Sequence, residues 1–283
     1  MSILTNAAIF LIFKLFDRFN VQTLQAIVVN YFVAFSIGIM VIPNLGNALH
    51  GAAEFPAWTI GGLSLGVLFI LVFYLTGTTA RIIGVSVTTI ASKMSLALAV
   101  LLFVWVDPAE KLSTTKVLAI LVAMSGVYFS SLKDDGKKLH IRSFLLPALI
   151  LLGSTGVDFG IAYFSALPAN DDELKLYSCL SFGMAGICGA IFLGFQLVKG
   201  RMSLTPRDVL GGLVLGAVNY CSILFLVLSY DSGIMQKSSL LPINNLGVVL
   251  VSAFAAVLIF KEKLTRYNWL GVGLSLLALG LLL

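Results

Sequence analysis

One lysine and one aspartate carry the sharpest chemical signal in this chain. Lys93 stands in TTIASKMSLALAV, twelve residues after Arg81 and fourteen before Asp107. Asp158 stands in GSTGVDFG, within another long apolar run. An ionised side chain at the centre of a bilayer costs about 2.5–3.5 kcal/mol on insertion scales. At about 1.5 Å rise per residue, Lys93 lies roughly 20 Å along a helix from either interface, so its stem cannot carry the ammonium to water. Two readings follow. Lys93 contacts a polar solute from a wet cavity, or it pairs structurally with Asp158. Asp158 in turn reads as a proton carrier, as the counter-ion of Lys93, or as a carboxyl hydrogen-bonded to nearby Ser and Thr. A buried carboxyl whose proton affinity is raised is what proton coupling needs.

Further polar side chains fall at mid-depth in apolar runs: Asn30, Asn219 with Tyr220, and Asn244 and Asn245 just past Pro242. Each is a candidate solute contact, with interhelical hydrogen bonding as the plain alternative. Pro242 cannot donate to residue 238 and so marks a kink or a conformational hinge. Lys237, Lys14, Tyr163 and Gln236 lie nearer the ends of their runs. There the two lysines either reach the cavity or snorkel to the surface. With Lys93, Lys237 and Lys14 set against Asp158, the balance is positive. It suits an anionic or zwitterionic solute such as an amino acid, a carboxylate or a phosphorylated compound.

The elements that must position these residues follow from composition. The chain has 283 residues, 59% hydrophobic and 11% charged, with a mean hydropathy of +1.03. A soluble domain carries about 25% charge, so this chain has too little polar surface for water. About 20 apolar residues span a bilayer as a helix. Ten such segments are predicted, at 3–19, 21–42, 57–79, 82–106, 115–132, 142–165, 175–198, 208–229, 232–260 and 267–283. A β-barrel would need runs of about 10 residues with alternating polarity, and these are longer and apolar all round. Segment 1–19 lacks a positive n-region and a clear cleavage site, so it reads as an uncleaved helix rather than a signal peptide. The three cysteines fall in apolar runs and predict no disulfide framework.

The chain repeats itself. IGGLSLGVLFI (60–70) returns as LGGLVLGAVNY (210–220), and EKLSTTKVLAI (110–120) as EKLTRYNWLGV (262–272). Gly84 and Gly233 stand 149 apart, each opening a long helix. Five segments therefore recur as five. Because five is odd, the second copy enters the membrane from the opposite side, the inverted repeat of secondary transporters. The fold class is thus all-α, with ten transmembrane helices in two inverted repeats. They cover 1–132 and 142–283, joined by a loop at 133–141. Glycines four apart at 62 and 66, 156 and 160, and 212 and 216 read as close helix contacts. The second copy ends in Asn219-Tyr220, where the first has Phe69-Ile70. That marks where it was adapted to something polar.

These features resemble the drug/metabolite transporter superfamily, EamA type. A Gly opens segments four and nine, and a Glu-x-Leu ends them, at Gly84 with Glu110-Lys-Leu and at Gly233 with Glu262-Lys-Leu. Lys14 is similar to the family's first-helix lysine. The resemblance covers nearly the whole chain. It implies export or exchange of small metabolites through a central cavity lined by helices other than five and ten. Two features depart from the pattern. Segment four lacks the usual central proline, although segment nine keeps Pro242. The loop charges also disagree with termini in the cytoplasm. Arg18, Arg81, Lys133, Lys137, Lys138, Arg142, Lys199, Arg201, Arg207, Lys261, Lys263 and Arg266 follow odd-numbered segments, whereas only Lys111, Lys116 and Lys175 follow even ones. By the positive-inside rule both termini lie outside, in the cytoplasmic membrane if the source is bacterial.

Other classes fit poorly. His50 and His140 lie in loops, no His or Cys cluster has metal-ligand spacing, and no Gly-x-x-x-x-Gly-Lys-Ser loop offers ATP drive. No enzyme activity and no cofactor is expected. The basic residues are scattered over loops, so nucleic acid is not an expected partner. The expected partners are a small-molecule solute, protons and the bilayer, with the chain a monomer or homodimer. A passive channel would want rings of like groups along a pore. An exporter of cationic or amphipathic compounds would need Lys93 paired or neutral. The expected function is secondary active transport by alternating access, coupled to protons or running as exchange.

Overall fold

The computed structural model describes residues 1–106, 113–132, 141–231 and 237–281. The described residues fold into helices and contain no β-strand. In chain order the helices are α1 (Ser2–Arg18), α2 (Thr23–Met40), α3 (Leu45–Ala53), α4 (Ala57–Ile82), α5 (Val85–Lys93) and α6 (Ser95–Val106), followed by α7 (Thr114–Ser131), α8 (Ile141–Phe164), α9 (Asp171–Val198), α10 (Pro206–Asp231), α11 (Lys237–Phe260) and α12 (Arg266–Leu281). Helices suit these sequences because hydrocarbon offers the backbone no hydrogen-bond partners, and a helix satisfies its own. Eight segments are long and apolar enough to cross a membrane, with α5 and α6 counting as one, so this is an integral membrane protein. At 17 and 16 residues, α1 and α12 fall short of the 18-residue span length.

Two elements differ from the sequence expectation. The stretch between Pro43 and Pro56 is not all loop but contains the short helix α3, which packs against α9. The fourth predicted segment, 82–106, is interrupted at Met94. Gln236, the Glu110 motif and the Lys133–His140 loop lie outside the described residues, as does Gly233.

The chain forms two compact units. One comprises Met1–Leu15, Leu75–Phe159 and Cys221–Leu283, and the other Phe16–Tyr74 and Gly160–Tyr220. The first unit contains α5, α6, α7, α11 and α12 with parts of α1, α4, α8 and α10. Its apolar core is built on Ile90, Ala91, Met94, Ile120, Ala123, Ile150, Val249 and Leu279. There α7 packs along α12, and α5 along α11. The α7–α12 approach is set by small residues. A Cβ added at Gly271 would lie within 2.5 Å of the Ser130 backbone nitrogen, and one at Gly126 within 2.7 Å of Ser275 Oγ.

In the second unit α2 packs along α9. Tyr31 stands 5.6 Å from Phe73 and 6.2 Å from Phe182, ring centre to ring centre. The repeated glycines do matching work here. A Cβ at Gly66 of α4 would meet the Ser181 carbonyl of α9 at 2.5 Å, and one at Gly216 of α10 would meet the Asn30 carbonyl of α2 at 2.9 Å. Thus the third segment leans its glycines on the seventh, and the eighth leans its own on the second. Close packing of this kind is how helices associate in lipid, where burial of apolar surface gives no gain. The pairs α2–α9, α5–α11 and α7–α12 each join segments that the sequence reading expects to be counterparts.

Gly271→Ala must push α7 and α12 apart against backbone, and we expect a loss of about 1–3 kcal/mol, the usual range for overpacking. Gly273→Ala, with nothing within 4 Å of its Cβ, serves as the control. Thermal unfolding of the detergent-purified protein should show a lower midpoint for Gly271→Ala alone.

Candidate functional site

The interruption at Met94 builds the site. The Met94 N–H still donates to the Ile90 carbonyl at 2.9 Å and closes α5. The next helix opens with a tight Ala97 N–H to Met94 carbonyl bond of 3.1 Å. Between them the Ser95 hydroxyl reaches the Ser92 carbonyl. The one hydroxyl hydrogen of Ser95 serves either the Ser92 carbonyl or the Asp158 carboxylate, and competition for a helix carbonyl loosens the ladder without a proline.

The distortion is local, since Met94 keeps right-handed helical backbone angles and α5 and α6 run on as one span. Lys93 lies in the last turn of α5. Its ammonium donates to Asn6 Oδ1 of α1 at 3.3 Å and stands 5.9 Å from the centre of the Phe10 ring. The carboxylate of Asp158, from α8, accepts a 2.5 Å hydrogen bond from Ser95 Oγ of the first residue of α6. Lys93 and Asp158 attract each other electrostatically. Each therefore has a neutral hydrogen-bond partner and an opposite charge within electrostatic reach. Lys93, Asp158 and Asn6 remain partly exposed, while Thr88, Thr89, Ser95, Ser154 and Thr155 around them are buried. All of these residues belong to the first unit.

Asn244 and Asn245 of α11 belong to the same unit and are each 5% exposed. Neither side-chain amide hydrogen-bonds to another described residue. Asn244 lies on the row of α11 that continues through Val248 and Ala256, the face packed against Ala7, Phe10 and Val85. Asn245 lies on the row of Val249 and Ala253, which pack into the core holding Ile90 and Met94. Both asparagines are thus directed toward the helices that carry Asn6 and Lys93. Helix α11 runs on through a buried Pro242. Lys237 opens α11, and its side chain lies outside the described residues.

The remaining sequence candidates go elsewhere. Asn30 and Asn219 meet in the second unit, where the Asn219 amide donates to Asn30 Oδ1 at 3.2 Å. With exposures of 0% and 8% they form a buried bridge between α2 and α10. Tyr220, beside Asn219, lies near Gly38 of α2. Tyr163 is exposed and stands edge-on to Phe164. Lys14 donates to the Arg81 carbonyl at 3.1 Å and lies 3.8 Å from Glu262. Sequence reading missed Asn6 and Ser95. An asparagine four residues into the first helix looks interfacial, and a lone serine among apolar residues carries no signal until a carboxylate faces it.

Breaking a charge pair leaves the survivor stranded in low dielectric. Lys93→Met and Asp158→Asn are each expected to lower stability by up to about 3 kcal/mol, seen as a lower unfolding midpoint. The double variant should be more stable than either single one. A double-mutant cycle by thermal unfolding measures this, and additive losses would exclude coupling between the two side chains.

Comparison with known proteins agrees with this architecture. Residues 177–283 match the model of the EamA-like transporter family. An uncharacterized protein of Haemophilus influenzae is 25% identical over 285 residues, covering 98% of this chain and 94% of that protein. Residues 177–283, which include α10, α11 and α12, are thus similar to an EamA-like transporter domain, consistent with the drug/metabolite transporter superfamily.

Proposed function

We propose that the chain is a secondary active transporter for a small anionic or zwitterionic metabolite, working by alternating access, with the Lys93 cluster as its solute seat. The observation that carries this reading is the Lys93 ammonium within a membrane span, hydrogen-bonded among the described residues to the neutral amide oxygen of Asn6. A solute carboxylate or phosphate is a better acceptor than Asn6 Oδ1, because it adds a full opposite charge to the hydrogen bond that the ammonium already makes. Asp158 stands ready for a solute ammonium, which favours an amino acid over a simple anion. The amides of Asn244 and Asn245 can complete the solute's hydrogen bonds. No chemical conversion of the solute is part of this reading.

Asp158 also supplies the coupling step. Binding of a proton to its carboxylate removes the attraction for Lys93, and the ammonium is then free to follow the solute. Packing between counterpart helices supports two inverted five-helix repeats, 1–132 and 142–283. Repeats of this kind exchange roles between inward-open and outward-open states.

Proteoliposomes test the seat directly. Counterflow should be seen with amino acids, carboxylates or sugar phosphates, and Lys93→Met should slow it at least tenfold. If quaternary amines alone are carried, the protein exports cations and the charge argument is wrong. A flux that does not saturate and shows no counterflow means a channel. Asp158→Asn should abolish solute-dependent acidification, read with an entrapped pH dye, while leaving exchange measurable.

The distribution of Lys and Arg supports termini outside the cytoplasm. A reporter active only in the cytoplasm should then be silent at either end and active when inserted after Arg201.

A further inference from the structure

We propose that Lys14 and Glu262 form a releasable electrostatic latch over the turn between α4 and α5. The turn is made by Gly84 at φ 134°, a conformation that L side chains rarely adopt. A Cβ at Gly84 would lie 2.9 Å from Glu262 Oε2, so the bare glycine is what admits the carboxylate. Glu262 Oε1 then accepts the Val85 N–H at 3.0 Å, at the N-terminal, positive pole of α5. Lys14 Nζ donates to the Arg81 carbonyl at 3.1 Å, in the last turn of α4 and hence at its negative pole. The two charges stand 3.8 Å apart. Each one sits on a helix pole of opposite sign, and each comes from a different part of the chain. Lys14 belongs to α1. Glu262 follows α11, held by its own N–H to the Ala256 carbonyl at 3.0 Å.

Three features make this a latch rather than a permanent rivet. Both side chains keep access to solvent, at 24% and 14% exposure, so water can take over when they part. Their separation exceeds hydrogen-bond length, and an exposed pair of this kind adds little stability of its own. The element it restrains is also short. Helix α5 has nine residues, with the latch at Val85 and Lys93 at its other end. Opening the latch frees one end of the half-helix whose other end holds the ammonium. The flanking Arg81, Lys261 and Lys263 put the latch on the side that the charge distribution makes cytoplasmic. The inference needs no particular solute and stands whether or not the transport reading does.

Hydrogen–deuterium exchange on the full chain in lipid nanodiscs tests it, read in peptides covering 82–90. Glu262→Gln should speed exchange there at least tenfold. Lys14→Met should act on the same peptides more weakly, and the double variant should exceed Glu262→Gln by no more than a factor of two. Glu262→Asp, which keeps the charge on a shorter stem, should fall between wild type and Glu262→Gln, and it serves if the Gln variant does not fold. The decisive variant exchanges the charges, Lys14→Glu with Glu262→Lys. Each charge then faces a pole of its own sign, so exchange should stay fast. Peptides of α7 report on global folding and should not change. Unaltered exchange in both Glu262 variants overturns the latch. So does wild-type protection in the charge-exchanged protein, because a plain ion pair would survive the exchange.

Discussion

Hydrocarbon gives a charge nothing to bond to, and the polar architecture of this protein follows from that. Lys93 and Asp158 are tolerable because each finds a neutral hydrogen-bond partner, Asn6 for the ammonium and Ser95 for the carboxylate, and lies within electrostatic reach of the other. The same logic operates at the other end of α5. There Glu262 takes the N-terminal pole, while Lys14 takes the C-terminal pole of α4. One nine-residue helix is thus governed by electrostatics at both ends.

Packing answers a different constraint. Lipid chains are as apolar as leucine, so helices gain little by hiding apolar faces and must gain by close fit. The glycines of α4 and α10 provide that fit with backbone carbonyls of α9 and α2. The glycines of α7 and α12 fit those two helices to one another. The asparagines at 30 and 219 join α2 to α10 as well. Asn219 is where the repeated glycine motif departs from its first copy, and the polar group it meets is Asn30. That departure is explained by a buried amide pair without recourse to solute.

Much of this was legible in the residues. Charge-poor runs of helical length mark the spans, because burying a backbone in lipid demands them. Lys93 and Asp158 were conspicuous for the cost of placing them at depth, and in the structure the two charges interact electrostatically, while Tyr163 lies at the surface. The Gly84 and Glu262 motifs were visible as repeats, yet nothing in their spacing says that the Glu of the second copy caps the helix opened by the Gly of the first. Asn6 and Ser95 were invisible, since a single amide or hydroxyl near a helix end is ordinary. Their meaning comes only from the charges they face.

Composition and periodicity by themselves determined that the chain enters a membrane as helices and which charges are costly there, and they marked ten candidate segments, of which eight prove long and apolar enough to cross. Those are local properties, set by the transfer of each residue from water to oil. Tertiary structure alone decided where the fourth segment breaks, which neutral partners hold Lys93 and Asp158, and that Lys14 serves the α4–α5 turn. Such outcomes depend on side chains far apart in sequence meeting at one depth, and no window of sequence contains both members of such a meeting.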